Sequence, residues 1–571
     1  MHSLRFFRWP TWLIALTLGF VALGLQLCAL NGEMNIYDEG IILVGAQQVA
    51  QGKRLYQDIF TMYAPAQFYL TATLLAWFDY AALALRSIGF ISKALITIFV
   101  FLLVVRFTAR SYAVITALIC LCLLIAVGQD AFPIFPALAF CLLALNWFEA
   151  GLRLGKGYFV LAGLASGLAM AFRHDLGLYG VLGITLGLIL AVQLQRLRPS
   201  VQASAPSPAP STAQAPAQAP AQAPEQALAA SSILAWYGMG LVVVLAPLGL
   251  WLLANVPLAD LLYNLLTIPA SIYPAVRALP FPSWSTLVGA NSLSDAAFIF
   301  SVYLPFGVLA LAILAPWIGA AQVQAAKTNK VDTKSLWPLI LILGVTCFLF
   351  TIKGLVRVSP IHLVQSLILA IAMLGIGWGR FQWRVLSAPV FFIAALILSI
   401  VLILGPVTQG IERIGTGVIQ LARGTNPTAT ACLHPSLPRL RCLFLDRDSL
   451  LAAQYIQAHS QPNARIYVGT SHHDKLFVNG VALYFIADRA PVSKWYELHP
   501  GVQTQQAIQK EMITEMQNPN FEWIVLDSRW EKMQEPNDSS ISSGVTLLDQ
   551  FIATHFVEVA QFGTLRILKK T

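Results

Sequence analysis

The chain has 571 residues, of which 57% are hydrophobic and only 11% charged, with a mean hydropathy of +0.68. A soluble domain carries about 25% charged residues, so a soluble enzyme is excluded, and the apolar runs recurring from residue 11 to 405 read as a polytopic α-helical membrane protein. The net charge of +9 is accounted for by Lys and Arg gathered in loops on one side of a bilayer, which leaves no call for a nucleic-acid partner.

Arg5 and Arg8 place the N-terminus in the cytoplasm. The first span, about 11–30, therefore runs outward. Its apolar run is long enough to cross, and the NGEMN that follows lacks a small-x-small cleavage site, so it is a span rather than a removed leader. The polar stretch Asn35 to Phe68 then lies outside, in a first outer loop over 31–87. Residues 64–84 either cross or lie along the outer interface. The interfacial reading is preferred, because it puts Arg106 and Arg110, Arg153 and Lys156, Arg196 and Arg198, Lys327, Lys330 and Lys334, and Arg380 and Arg384 all in the cytoplasm.

Further spans are expected at about 88–105, 112–128, 132–150, 157–172, 176–194, 232–254, 297–320, 336–352, 361–379 and 385–405, about eleven in all. The small residues of GLASGLAMA at 163–171 suit close helix packing. Residues 199–230, rich in Pro, Ala and Gln, cannot build a core and are expected to be a disordered cytoplasmic linker between two transmembrane halves, 1–198 and 231–405. A second outer loop covers 255–296. From 406 to 571 helix and strand patterns alternate, which points to a small extracytoplasmic α/β domain. Cys28, Cys120, Cys122, Cys141 and Cys347 sit in apolar spans as small hydrophobes. Cys432 and Cys442 lie in a polar outer stretch, where a local disulfide and two free thiols are both open.

Chemistry is expected at the outer ends. Asp38 and Glu39, adjacent just past the first span, suit a general base or a metal ligand, against a reading as idle solvated acids. Asp130, in a short outer turn, is costly between apolar helices unless paired or useful. Arg173, His174 and Asp175 form a charged triplet that either binds a phosphate or neutralises itself. Lys353, Arg357 and His362 put cations on the outer side, against the positive-inside bias, where they would stabilise a leaving phosphate or touch lipid headgroups. His472, His473 and Asp474 lack a third ligand and are expected in a surface loop.

These residues, in this order, resemble the GT-C glycosyltransferases of the family 39 type, which include protein O-mannosyltransferases and bacterial lipid A aminoarabinose transferases. The carriers are YDEG at 37–40, GKRLYQDIFTMYAPAQFYL at 52–70, Asp130 after the third span, and RVSPIHL at 357–363. The chain departs from the pattern at Ala64-Pro65, where Pro-Pro is common, and in the 199–230 insertion. The resemblance implies a sugar donor on a polyprenyl phosphate and a glycan, lipid or protein acceptor outside the cytoplasmic membrane of a bacterium. It implies Asp38 as the carboxylate that orients or deprotonates the acceptor hydroxyl, with Glu39 and Asp130 assisting, and Arg173, His174, Lys353, Arg357 and His362 around the donor phosphate. Tyr56, Asp58 and Tyr63 would support the acceptor loop. The one cofactor left open is a divalent cation on Asp38 and Asp130. Two other classes compete: a polyprenyl-lipid or polysaccharide flippase, which expects midplane charges and internal repeats, and a non-catalytic envelope-assembly protein.

Overall fold

The computed structural model describes residues 9–196, 230–283, 293–323, 337–380, 405 and 407–571. The expected linker at 199–230 and the last expected span at 385–405 fall, but for their end residues, outside these. Every expected span before residue 385 coincides with a helix. They are α1 (Thr11–Cys28), α4 (Leu83–Val104), α5 (Arg110–Ala126), α6 (Ile134–Leu154), α7 (Gly157–Phe172), α8 (His174–Arg196), α9 (Ala230–Asn255) and the helices Leu293–Val323, Trp337–Gly354 and Pro360–Arg380. Among the described residues seven helices are long and apolar enough to cross a membrane, and three shorter apolar ones accompany them. The chain is a multi-pass membrane protein.

Small residues set the closest helix approach. A Cβ at Gly163 of α7 would collide with the Tyr237 carbonyl, and one at Gly240 of α9 with the Val160 carbonyl. The two glycines let the backbones of α7 and α9 touch where apolar lipid gives no drive to associate. Tyr237 fills the same seam, its hydroxyl donating to Ser166 Oγ at 2.7 Å.

The loop at 31–87 is more ordered than its polarity suggests. It contains two helices, α2 (Asp38–Ala50) and α3 (Ala66–Trp77). At 12 residues α3 is about 18 Å long, well short of the ~30 Å hydrocarbon core. In α2 the residues from Glu39 to Gln48 are all buried. The cover comes partly from α3 and partly from the far end of the chain.

That far end is a mixed α/β domain. Its five strands, β1 (Arg465–Thr470), β2 (Ala490–Pro491), β3 (Phe521–Asp527), β4 (Phe556–Phe562) and β5 (Leu565–Lys570), lie in the order β2-β1-β3-β5-β4. β1 is parallel to β2 and β3, and β5 is antiparallel to β3 and β4. β1 and β3 are central and read as near-continuous apolar runs, as strands covered on both faces do. The apolar VALYFIAD is a short helix, Ala482–Ile486, buried throughout. Cys432 and Cys442 are joined in a disulfide. A helix that composition did not signal, Thr408–Ala422, packs on α5 and α1, and Arg413 Nη1 donates to the Ile125 carbonyl at 3.2 Å.

The domain clasps the loop at 31–87. Met34 N–H donates to the Phe444 carbonyl at 3.0 Å, Phe444 N–H to Gly32 at 2.8 Å, and Ala482 N–H to Ile36 at 2.7 Å. Tyr496 Oη donates to the Ile41 carbonyl at 3.0 Å. Ile41, Val44, Leu55 and Ile59 share one core with Leu443, Val481, Tyr484 and Ile567.

Candidate active site

Asn35 organises the acidic pole. Its Oδ1 accepts the backbone N–H of Tyr37 at 3.1 Å and of Asp38 at 2.9 Å, satisfying donors at the start of α2. Those two bonds fix the amide orientation, so Nδ2 faces the acids. It donates to Asp38 Oδ2 and to Asp130 Oδ2, both at 3.0 Å. Asp38 and Asp130 thereby meet at one amide, with Asn35 and Asp130 95 positions apart in sequence. Burial, with the Asp130 carboxylate beside it, pushes the Asp38 carboxyl up to about 7 against the hydrogen bond from Asn35.

Glu39 is differently placed. It is 3% exposed, and Arg86 of α4, 1% exposed, forks onto it. Arg86 Nη2 donates to Glu39 Oε2 at 2.7 Å, and Nε donates to Oε1. Asn35 N–H also donates to Glu39 Oε2 at 3.1 Å. The remaining Arg86 donors reach the Asn31 and Glu33 carbonyls at 3.1 and 2.8 Å, and Nη2 lies 3.5 Å from Asp130 Oδ1. Both Glu39 oxygens are thus occupied, which suits holding the loop rather than taking a proton. From about two helical turns further into α4, Lys93 donates to the Gly128 carbonyl at 2.5 Å and so braces the turn that carries Asp130.

The cationic pole sits where α7 meets α8 and where Trp337–Gly354 meets Pro360–Arg380. Arg173 forks onto Asp175, Nε to Oδ1 at 3.0 Å and Nη2 to Oδ2 at 3.4 Å. Lys353 Nζ lies 3.7 Å from Asp175 Oδ2, too far for a hydrogen bond. It is buried and has no other acceptor among the described residues. His362 lies within electrostatic reach of Lys353, Arg173 and Arg357, and its Nδ1 pairs with Ser359 Oγ at 2.8 Å. His174 keeps a buried Nδ1 without a hydrogen bond among the described residues. Arg357 is committed elsewhere: it donates to Glu535 Oε2 at 2.8 Å and to Oε1, and to the Arg277 carbonyl at 3.1 Å. Burial works against ionising Glu535, but hydrogen bonds from Arg357 and Asn537 hold its carboxyl down at about 2. Among the described residues Arg173, Lys353, Arg357 and Arg277 form ion pairs only with Asp175 and Glu535, so positive charge is left over.

Tyr63 stands between the poles. The Arg173 guanidinium is 5.9 Å from its ring centre. Burial, with Asp38 and Glu497 nearby, raises the Tyr63 phenol well above its usual range against the pull of Arg173. Tyr56 Oη donates to the Tyr63 carbonyl at 2.9 Å and braces this loop from behind. Asp58 is not brought in: its Oδ2 accepts from Arg54, at 2.9 Å from the backbone N–H and 3.3 Å from Nε, at the loop's exposed edge.

The expected surface loop at 472–474 holds a buried ring instead. His473 is 0% exposed, with Nδ1 2.7 Å from Asp549 Oδ1 and Nε2 2.7 Å from Tyr467 Oη. Both ring nitrogens are used within the domain core. For a cation on Asp38 and Asp130 the donor set does not fit, because an amide N–H donor of fixed orientation occupies the point between them, and among the described residues no third His, Cys, Asp or Glu completes a group.

The C-terminal domain adds side chains that sequence order did not signal. Glu497, 0% exposed, accepts from His499 Nε2. Tyr37 Oη lies 3.2 Å from the same Nε2. The second Glu497 oxygen is buried without a partner among the described residues.

No family model and no curated protein matches the chain by sequence. Solved structures do match it in shape. ArnT from Cupriavidus metallidurans bound to undecaprenyl phosphate aligns at TM-score 0.54 and 13% identity, over 98% of this chain and 97% of that one. The same protein in the apo state aligns at 0.52 and 12%, over 98% and 97%. The archaeal oligosaccharyltransferase AglB from Archaeoglobus fulgidus, in complex with an inhibitory peptide and a dolichol-phosphate, aligns at 0.50 and 14%, over 92% of this chain and 70% of that one. At such identities the likeness is one of architecture: the chain has the GT-C fold, a multi-pass helical membrane body joined to a C-terminal domain.

Proposed function

We propose that the protein is an integral-membrane glycosyltransferase that moves a sugar from a polyprenyl-phosphate donor to an acceptor hydroxyl on the outer face of a bacterial cytoplasmic membrane, with the N-terminus inside and the C-terminal domain outside. The observation that carries this reading is the half-buried two-pole site: a carboxylate pair at Asp38 and Asp130, opposite the buried Lys353 amine, which has no hydrogen bond among the described residues, beside Arg173. The polyprenyl phosphates bound by fold neighbours support the donor class.

In this mechanism the acceptor oxygen attacks the anomeric carbon. The carbon–oxygen bond to the phosphate breaks, and its electron pair leaves with the phosphate. The acceptor proton goes to Asp38, whose raised affinity for protons suits a base working near neutral pH. Asp130 and Asn35 aim that carboxylate. Lys353 and Arg173, with His174 and His362 beside them, receive the developing phosphate charge, which needs no proton. Arg357, paired with Glu535, and Glu39, paired with Arg86, hold the walls of the site. Tyr63 lies between base and cations, where the donor sugar would sit.

The test is purified protein with a panel of polyprenyl-phosphate sugars and candidate acceptors, scoring release of polyprenyl phosphate and sugar transfer. Wild type is expected to turn over one donor, and Asp38→Asn to lose transfer while still reaching the membrane. Full activity in Asp38→Asn removes that residue from the mechanism.

A further inference from the structure

A cavity of about 240 Å³ lies between the loop of Tyr56 and Phe60, the helical run Leu258–Ile272, and residues 494–508 of the C-terminal domain. Its size is below the ~300 Å³ at which pockets for drug-sized ligands begin, and it matches a single sugar ring. The lining mixes rings and hydrogen-bonding groups in near balance. Trp495 and Phe60 form one wall, ring centres 4.8 Å apart and planes tilted by 41°, with Tyr263 also lining the space. Asp260, Asn264 and Lys494 supply the polar part.

Two lining residues carry buried polar atoms without a partner among the described residues. They are Trp495 Nε1, on a side chain 5% exposed, and Asn264 Oδ1, on one 4% exposed. One is a donor and the other an acceptor. Leaving each unmade costs on the order of 1–3 kcal/mol, so a ligand that satisfies both is favoured. A hydroxyl donates and accepts at once. Asp260 is an additional acceptor with no ion-pair partner among the described residues. Lys494 is a donor already held at 2.7 Å from Glu511 and 5.0 Å from the Trp495 ring centre. Aromatic faces for C–H groups, with acceptors and donors at the rim, are what a pyranose needs. A lipid tail would leave the polar groups unmet.

The cavity connects to the base through side chains. The Phe60 ring lies 6.1 Å from the His499 ring, and His499 meets the hydroxyl of Tyr37, the residue before Asp38. Phe60 and His499 therefore stand between this space and the carboxylate. A ring seated in the cavity is not the ring that reacts.

We infer that this cavity is an acceptor subsite for carbohydrate: it holds a sugar residue adjoining the one whose hydroxyl meets Asp38, so the acceptor is a glycan of at least two residues. The inference rests on the glycosyltransferase reading for its role, but its binding test does not need turnover. Full-length protein in detergent is titrated, without donor, with methyl hexopyranosides, with di- and trisaccharide glycosides, and with a Ser/Thr-containing peptide. At least one saccharide is expected to bind wild type, and to bind Trp495→Ala and Asp260→Asn at least tenfold more weakly. Asp260→Asn keeps shape and removes charge, so it answers even if Trp495→Ala fails to fold. Saccharide binding to wild type without transfer in the donor assay would sink the enzymatic reading alone. No saccharide bound by wild type, equal binding by Asp260→Asn, or binding of the peptide in place of every saccharide overturns the subsite.

Discussion

Asp38 draws its character from what surrounds it. Burial and the Asp130 carboxylate raise its carboxyl to about 7, so below that pH it carries a proton and cannot accept one. With Asp38 as base, kcat/KM should fall roughly tenfold per unit on the acid side of neutrality and level off above it. Asp130→Asn removes a like charge while keeping the shape, so Asp38 should ionise more readily and the acid limb should move to lower pH. A purely structural Asp130 would lower the rate and leave the limb where it is, so pH profiles of the two proteins separate the cases. Asp38→Asn itself should cost about 10²- to 10⁴-fold in rate, the usual worth of a positioned base. The sequence named this residue, and it named Asp130, because acids beside apolar spans are conspicuous. It could not name Asn35 or Arg86 as their partners. Arg86 reads as an ordinary basic residue before a span, and its link to Glu39 crosses 47 positions. His499 is 462 positions from Tyr37, and no spacing rule reaches that far.

At the level of elements, α2 is held from two sides, and each hold predicts a defect. Arg86 ties it to α4 through Glu39, with both side chains out of water. Arg86→Met leaves a buried carboxylate without its cation, which should destabilise by about 3–5 kcal/mol, and adding Glu39→Gln should recover part of that. Thermal unfolding in detergent reads both. Equal losses in the single and double variants would mean that the ion pair is not what holds α2. The second hold is backbone contact. A Cβ at Gly40 would strike the backbone of Ala482, so the C-terminal domain rests directly on the helix there. Gly40→Ala should loosen that seat at about 1–3 kcal/mol, seen as faster protease cleavage between the domain and the membrane body. Cleavage at the wild-type rate would show that the seat is not tight. The stretch 35–68 is full of Asp, Tyr, Gln and Gly and lacks the apolar periodicity of a surface helix. α2 is buried on nearly every side, so it has no polar face to alternate with, and the sequence pattern reads as loop.

Across the whole molecule the membrane spans were the most legible feature, because lipid imposes one requirement, about 20 apolar residues per crossing, and the sequence states it locally. The relation between the two ends of the chain was not legible, since it consists of backbone hydrogen bonds and shared core between residues 32–60 and 440–567. That relation decides whether the C-terminal domain is an accessory. Removing everything after Arg423 would leave the Thr408–Ala422 helix on α1 and α5 but would take away Phe444, Val481, Ala482 and Tyr496, which cap the loop at 31–87. Ile41, Val44, Leu55 and Ile59, each at most 2% exposed, would then face water, at about 1.5–3 kcal/mol for each large side chain uncovered. A loop that owes its shape to such cover does not keep Asp38 aimed at Asp130. The truncated protein should therefore insert into membranes yet bind no donor sugar productively, and it should run as aggregate on size exclusion where the full chain runs as one peak. Transfer by the truncated protein at a tenth of the full-length rate or better would mean that the loop holds its geometry alone, and that Glu497 and His499 lie near the reaction without taking part in it.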